Sequence, residues 1–239
     1  MPPAPTPAAR PQRYFDLLMV GFVVVLVCSN LIGPAKIAVV VLPWWGSFAF
    51  GAGVLFFPIS YVFGDILTEV YGYAQARRVI WAGFAALLFA ALMAAIVVAL
   101  PPAPFWPHQH AYEVTFGNTW RIVGASIIAY FGGEFVNAYV LAKMKVWTGG
   151  RALWSRTIGS TICGEAVDSL IFYPLAFFGS GIIANAALPA LMLAQFLAKT
   201  MVEVAFTPVT YAAVGYLKRA EGIDHFDRDT DFNPFQIRG

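Results

Sequence analysis

The stretch Phe57-Pro58-Ile59-Ser60-Tyr61-Val62-Phe63-Gly64-Asp65-Ile66-Leu67-Thr68-Glu69-Val70-Tyr71-Gly72 decides the class of fold. Asp65, Thr68 and Glu69 share one helix face by the i, i+3, i+4 rule, while Val62, Phe63, Ile66 and Val70 continue the apolar character around them. A charge in hydrocarbon costs at least ~2.5–3.5 kcal/mol on insertion scales, so it usually lines a polar cavity or pairs with another charge. Two readings stay open here. Either the helix has ended and these acids are solvated near headgroups beside Arg77 and Arg78, or they form a buried functional cluster.

The rest of the chain is of the same kind. It is 59% hydrophobic and 12% charged, with a mean hydropathy of +0.70; soluble domains carry about 25% charged residues. A membrane protein follows, and 239 residues make one compact membrane domain. A span needs about 20 apolar residues, and six windows qualify: 15–32, 45–67, 79–100, 122–141, 158–178 and 188–216. The expected class is therefore all-α, a polytopic protein of six transmembrane helices. Residues 1–13 read as a disordered tail, 14–217 as the membrane domain and 218–239 as a C-terminal tail. The first window is too long for a signal peptide and lacks a small-residue cleavage site, so it reads as a retained span. Pro58 and Pro208 should kink or break their helices. The β-branched segment 34–43 is either extended or re-entrant.

Lysine and arginine set the orientation. With the N-terminus in the cytoplasm, one side collects Arg10, Arg13, Arg77, Arg78, Lys143, Lys145, Arg151, Arg156, Lys218 and Arg219, and the other keeps Lys36 and Arg121. Both termini are then cytoplasmic. The tryptophans lie near the span ends, where an aromatic belt belongs. Three helices per half would make any internal duplication inverted in the membrane. Gly64-Asp65-Ile66-Leu67-Thr68-Glu69 is echoed by Gly164-Glu165-Ala166-Val167-Asp168-Ser169.

Polar residues recur inside the other windows. Glu165, Asp168 and Phe172 share a face of the fifth, and Gln195, Lys199 and Glu203 form a four-residue stripe on the sixth. An Asp168–Lys199 ion pair is geometrically feasible, and it would be either a structural pair or part of a solute or proton path. Glu134 and Asn137 mark the inward face of the fourth helix, beside Gly132 and Gly133, which permit close packing. Asn30 and Lys36 bracket the outer end of the first; a lone lysine there is more often a snorkelling anchor than a ligand. Phe57, Tyr61 and Phe172 are packing residues by default, able to supply a stacking wall for a flat ligand. Cys28 and Cys163 read as small buried hydrophobes. No P-loop motif occurs, no cysteine–histidine cluster suggests a metal, and all three histidines fall outside the windows. A wet interior without catalytic machinery points to transport.

The second-window stretch quoted above, with Ser29-Asn30-Leu31-Ile32-Gly33 and Lys36 before it and Ala76-Arg77-Arg78-Val79-Ile80-Trp81 after it, resembles the queuosine precursor transporter family, within a vitamin-uptake-transporter group. Arg156, Ser160-Thr161, Asp168-Ser169-Leu170-Ile171-Phe172, Lys199, Glu203 and Pro208 extend the resemblance to the second half. It implies import of 7-cyano- and 7-aminomethyl-7-deazaguanine across the bacterial inner membrane, with no enzymatic step and no cofactor. The expected partners are this small base and the bilayer, not nucleic acid; glycines along the helices would permit a homodimer. The guanine-like edge offers two adjacent donors that one carboxylate can accept, from Asp168, Glu165, Asp65 or Glu69; its carbonyl wants a donor such as Asn30, Lys199 or Asn137. A stand-alone secondary transporter is the leading expectation. The others are the substrate-capture subunit of an energy-coupling-factor importer, which would co-purify with ATPases, and an intramembrane enzyme, which would turn a substrate over covalently.

Overall fold

A computed structural model describes residues 12–32, 37–42, 46–51, 56–117, 120–181 and 183–236. The helices are α1 (Phe15–Leu31), α2 (Phe57–Tyr71), α3 (Tyr73–Ala99), α4 (Gln109–Phe116), α5 (Trp120–Trp147), α6 (Leu153–Phe177) and α7 (Leu188–Glu221). Three segments, holding α3, α5 and α7, are long and apolar enough to cross a bilayer by length and composition. This is a helical membrane protein. α6 is also long, at 25 residues, but buries Arg156, Thr157, Ser160, Thr161, Glu165, Asp168 and Ser169, so its polarity faces protein.

One part of the chain departs from the all-helical expectation. β1 (Ile37–Leu42) and β2 (Gly46–Gly51) pair antiparallel, Ile37 opposite Gly51 and Leu42 opposite Gly46. The run Ile37-Ala38-Val39-Val40-Val41-Leu42 is β-branched and stiff at χ1, which suits a pleated strand better than a helix. The window 45–67 is therefore divided: its first part is strand, and α2 begins at Phe57. Pro58 explains the boundary. It occupies the first turn of α2, where a missing N–H removes no helical bond, so it starts the helix rather than kinking it. α2 has 15 residues, about 22 Å at 1.5 Å per residue, short of the ~30 Å hydrocarbon core. Pro208 lies inside α7, which continues through it, and Pro174 likewise lies inside α6.

Both ends of the described bundle meet on one side. Glu221, at the end of α7, accepts hydrogen bonds from Arg13 N (3.0 Å), Tyr14 N (2.7 Å) and the Tyr71 hydroxyl (2.9 Å). The chain turns from α2 to α3 at Gly72, whose φ of 85° lies in the left-handed region; a Cβ there would also stand 2.2 Å from the His225 ring. Only glycine satisfies both demands. α5 packs against α6 over most of its length. The approach is closest at Gly133 and Gly164, where a Cβ on Gly164 would stand 2.9 Å from the Gly133 carbonyl oxygen. Lipid tails are as apolar as leucine, so such packing and interhelical hydrogen bonds hold the bundle together.

Candidate functional site

The acidic residues of α2, α5, α6 and α7 turn inward and divide into two groups. The central group lies between the four helices. Lys199 of α7 places its ammonium 2.9 Å from Glu165 Oε2 and 2.7 Å from Asp168 Oδ2, both on α6. The same ammonium lies 4.7 Å from the centre of the Phe57 ring at the start of α2, within cation–π range. Next to it, Tyr61 is 1% exposed and its hydroxyl has no hydrogen-bond partner among the described residues. A Cβ on Gly133 would stand 2.7 Å from that hydroxyl and 3.1 Å from Asp168 Cβ, so the absence of a side chain on α5 makes room for both.

Asn137 Nδ2 donates to Asp65 Oδ1 at 2.8 Å, tying α5 to α2. The Thr161 hydroxyl donates to Glu203 Oε1, tying α6 to α7. Glu134 rests against Gly64, where a Cβ would stand 3.0 Å from Oε2, and it lies within electrostatic reach of Asp65, Glu165 and Asp168. Gln195 is buried one turn from Lys199 on α7. Glu134 Oε1, Asn137 Oδ1, Glu165 Oε1 and Glu203 Oε2 are buried without a hydrogen-bond partner among the described residues. Buried polar atoms normally find one, so this interior retains capacity for hydrogen bonds that the chain itself does not use.

The second group closes the end where the termini meet. Glu69 Oε1 is 2.7 Å from Arg156, 2.7 Å from Lys218 and 3.7 Å from Lys145. Lys145 also donates to the Glu69 carbonyl oxygen (2.5 Å), to Asp224 (2.6 Å) and to the His225 carbonyl oxygen (2.6 Å). Glu69 is thus in a buried charge network and is not solvated, one turn away from Asp65. Burial pushes the Asp224 carboxyl up, but hydrogen bonds from Lys145 and Lys218 outweigh it and hold it below the ordinary aspartate value.

The sequence-derived candidates therefore separate. Phe57, Tyr61, Asp65, Glu134, Asn137, Glu165, Asp168, Gln195, Lys199 and Glu203 lie in the bundle interior, with Phe57 only partly buried. Glu69 belongs to the terminal network. Asn30 is elsewhere: it donates to the Leu26 carbonyl oxygen at 2.9 Å and accepts from Ser126 at 2.8 Å, joining α1 to α5 near the opposite end. Phe172 packs edge-on against Tyr173 and Phe177. Lys36 lies outside the described residues. Thr161, Arg156, Lys145 and Lys218 join the two groups although they were read only as motif or orientation residues. The four-residue stripe Arg156, Ser160, Gly164, Asp168 carries the signal for Arg156. Two cavities, of about 270 and 370 Å³, lie elsewhere, around Leu31, Val97 and Tyr112 and around Pro102 and Trp106. The polar side chains of the central group are all buried, from Asp65 and Glu134 at 1% exposure to Gln195 at 9%.

Fold and site together define a helical membrane protein that keeps its charges inside, the class to which solute transporters belong. Residues 51–213 match the family model described as "Putative vitamin uptake transporter", and the chain belongs to that family. It is a family of transporters, not of enzymes. The chain is 31% identical over 150 residues to a "Probable queuosine precursor transporter" of Bacillus subtilis (strain 168), covering 62% of this chain and 65% of that protein. It is 26% identical over 175 residues to the "Queuosine precursor transporter" of Escherichia coli (strain K12), covering 72% and 73%. The chain thus spans just under two thirds of the Bacillus protein. No solved structure matches.

Proposed function

We propose that this protein imports queuosine precursors, 7-cyano- and 7-aminomethyl-7-deazaguanine, across the bacterial inner membrane as a stand-alone secondary transporter. In this reading the chain crosses six times with both termini in the cytoplasm, and residues 14–217 form the transport domain. The Lys199–Glu165–Asp168 constellation carries the proposal. It offers two carboxylates to a guanine-like edge whose N1–H and exocyclic amine are adjacent donors. Charge-assisted hydrogen bonds of this kind are roughly twice as strong as neutral ones. Phe57 and Tyr61 stand beside the carboxylates as walls for a flat ring, and Asn137 and Gln195 can donate to the ring carbonyl. The names of the relatives support the substrate class.

Uptake of labelled 7-cyano-7-deazaguanine into proteoliposomes containing only this protein tests the reading. Accumulation or exchange without any other subunit is expected, and Asp168→Asn should lower it at least about tenfold, equivalent to about 1.4 kcal/mol, since a charge-assisted hydrogen bond to the ligand becomes a neutral one. Uptake that appears only when a membrane scaffold and ATPases are added would make the chain a substrate-capture subunit instead. Asp168→Asn with undiminished uptake would remove the constellation from the substrate path.

A further inference from the structure

The Lys199 ammonium occupies the place in which a ligand donor would sit. It is held by two carboxylates of α6, 2.9 and 2.7 Å away, and lies against the ring of Phe57. Two observations set this apart from an ordinary structural pair. Glu165 Oε1 and the Tyr61 hydroxyl, each in a residue about 1% exposed, have no hydrogen-bond partner among the described residues. The Tyr61 hydroxyl and Asp168 share the space above Gly133, so an unused donor points at the edge of the ion pair. The site therefore has acceptors and a donor beyond those Lys199 uses.

The carboxylates and the cation also differ in freedom. Glu165 and Asp168 are on short side chains from one helix that α5 clamps at Gly133 and Gly164. Lysine is a compact charge on a flexible four-carbon stem, and Glu203 stands one helical turn further along α7 with Oε2 unpartnered. The cation can leave its seat and still find a carboxylate.

We infer that Lys199 is a tethered competitor of the substrate: its ammonium neutralises the acidic seat when that seat is empty and gives up one or both carboxylates when ligand donors enter. The inference rests on the reading of this constellation as the substrate site, and it assigns Lys199 a role in specificity. A neutral ligand engages one carboxylate and leaves Lys199 paired with the other. A ligand carrying its own ammonium must displace Lys199 from both, and two cations then compete for one seat. Lys199 thus selects against cationic ligands of the same ring.

The test is equilibrium binding of 7-cyano-7-deazaguanine and 7-aminomethyl-7-deazaguanine to the full chain in detergent, for wild type, Lys199→Met and Lys199→Arg. Lys199→Met should shift the affinity ratio toward the aminomethyl form by about tenfold or more, equivalent to about 1.4 kcal/mol. Lys199→Arg should keep the wild-type ratio. Wild-type binding with an unmoved ratio in Lys199→Met overturns the inference and leaves the transport reading standing. A wild type that binds neither base removes both. Should Lys199→Met not fold, Lys199→Ala prepared with and without ethylammonium decides the matter. Recovery of a monodisperse, thermally stable protein only with the cation supports a separable counter-ion, and no recovery overturns it.

Discussion

Asp65 and Asn137 show how single residues make a charged interior tolerable. The amide donates to the carboxylate at 2.8 Å across the α2–α5 contact, and both residues are 1% exposed. A hydrogen bond to a charged group contributes about 1.5–3 kcal/mol, whereas replacing both partners by apolar groups of similar shape is nearly neutral. Asn137→Leu should therefore lower thermal stability by about 2 kcal/mol, and Asp65→Leu combined with Asn137→Leu should recover most of that loss. A double variant no more stable than Asn137→Leu alone would mean that Asp65 is held by something other than this amide. At this scale the candidate site was largely legible, because carboxylates inside apolar windows stand out against their surroundings. Its subdivision was not. Asp65 and Glu69 share a helix face, yet four residues are about 6 Å of rise along the axis, enough to move Glu69 from the interior into the terminal network. Asn30 and Phe172 lie apart from the central group for a related reason: the interface each one faces depends on a partner helix that periodicity does not name.

Among the elements, the segment after α7 is the one whose role the sequence concealed. Residues 218–239 read as a C-terminal tail, but residues 223–236 return over the ends of α2, α3 and α5. Asp227 accepts from Tyr73 N with both carboxylate oxygens at 3.1 Å, capping the first turn of α3, where negative charge is favoured. Arg77, 1% exposed, donates to the carbonyl oxygens of Asp231 (2.9 Å) and Asn233 (2.8 Å), and Trp81 to that of Pro234 (2.8 Å). These contacts use tail carbonyls, which every sequence has, so no pattern announced them. An extended β1 was one of the two readings left open for segment 34–43, but β2 lies inside the window 45–67, whose apolar run fits a helix and a strand alike. Asp227→Ala should cost about 1 kcal/mol as a lost cap and hasten proteolysis between residues 223 and 236. Acid should loosen the same strap. The Asp224 carboxyl is held below its ordinary value by Lys145 and Lys218 against the effect of burial. Its contribution is therefore full above the ordinary aspartate range and is lost as pH falls through the lowered folded value. Protection of the strap amides relative to their intrinsic exchange should thus be unchanged from pH 7 to 5 and fall only in stronger acid; loss of protection already near pH 6 would mean that Asp224 does not hold the strap.

For the whole molecule, the arrangement of the two charge groups assigns a direction to the conformation. The Glu69 network joins α2 to α5, α6 and α7 through Lys145, Arg156 and Lys218, and Asp224 joins the strap to it. The end where Arg13 and Glu221 meet is thereby tied together, and by the lysine and arginine distribution it is the cytoplasmic end in the proposed topology. Among the described residues, the polar ties at the opposite end include Ser126 to Asn30, and Arg121 to the carbonyl oxygens of Leu175 (2.6 Å) and Phe178 (2.5 Å). Release of a solute to the cytoplasm then requires the Glu69 network to part while the central group keeps its geometry. Packed interfaces of this kind switch between discrete arrangements rather than deforming continuously. Glu69→Gln keeps the side chain's size and removes the charge that three cations share, so it should weaken the cytoplasmic closure without touching the Lys199 seat. The expected result is a separation of two measurements: affinity for the deazaguanine within about threefold of wild type, and proteoliposome uptake changed by about tenfold or more, a free-energy change of about 1.4 kcal/mol in the closure. Parallel loss of binding and uptake would place Glu69 in the ligand site itself, and unchanged values of both would show that the network is a structural tie that never opens during transport.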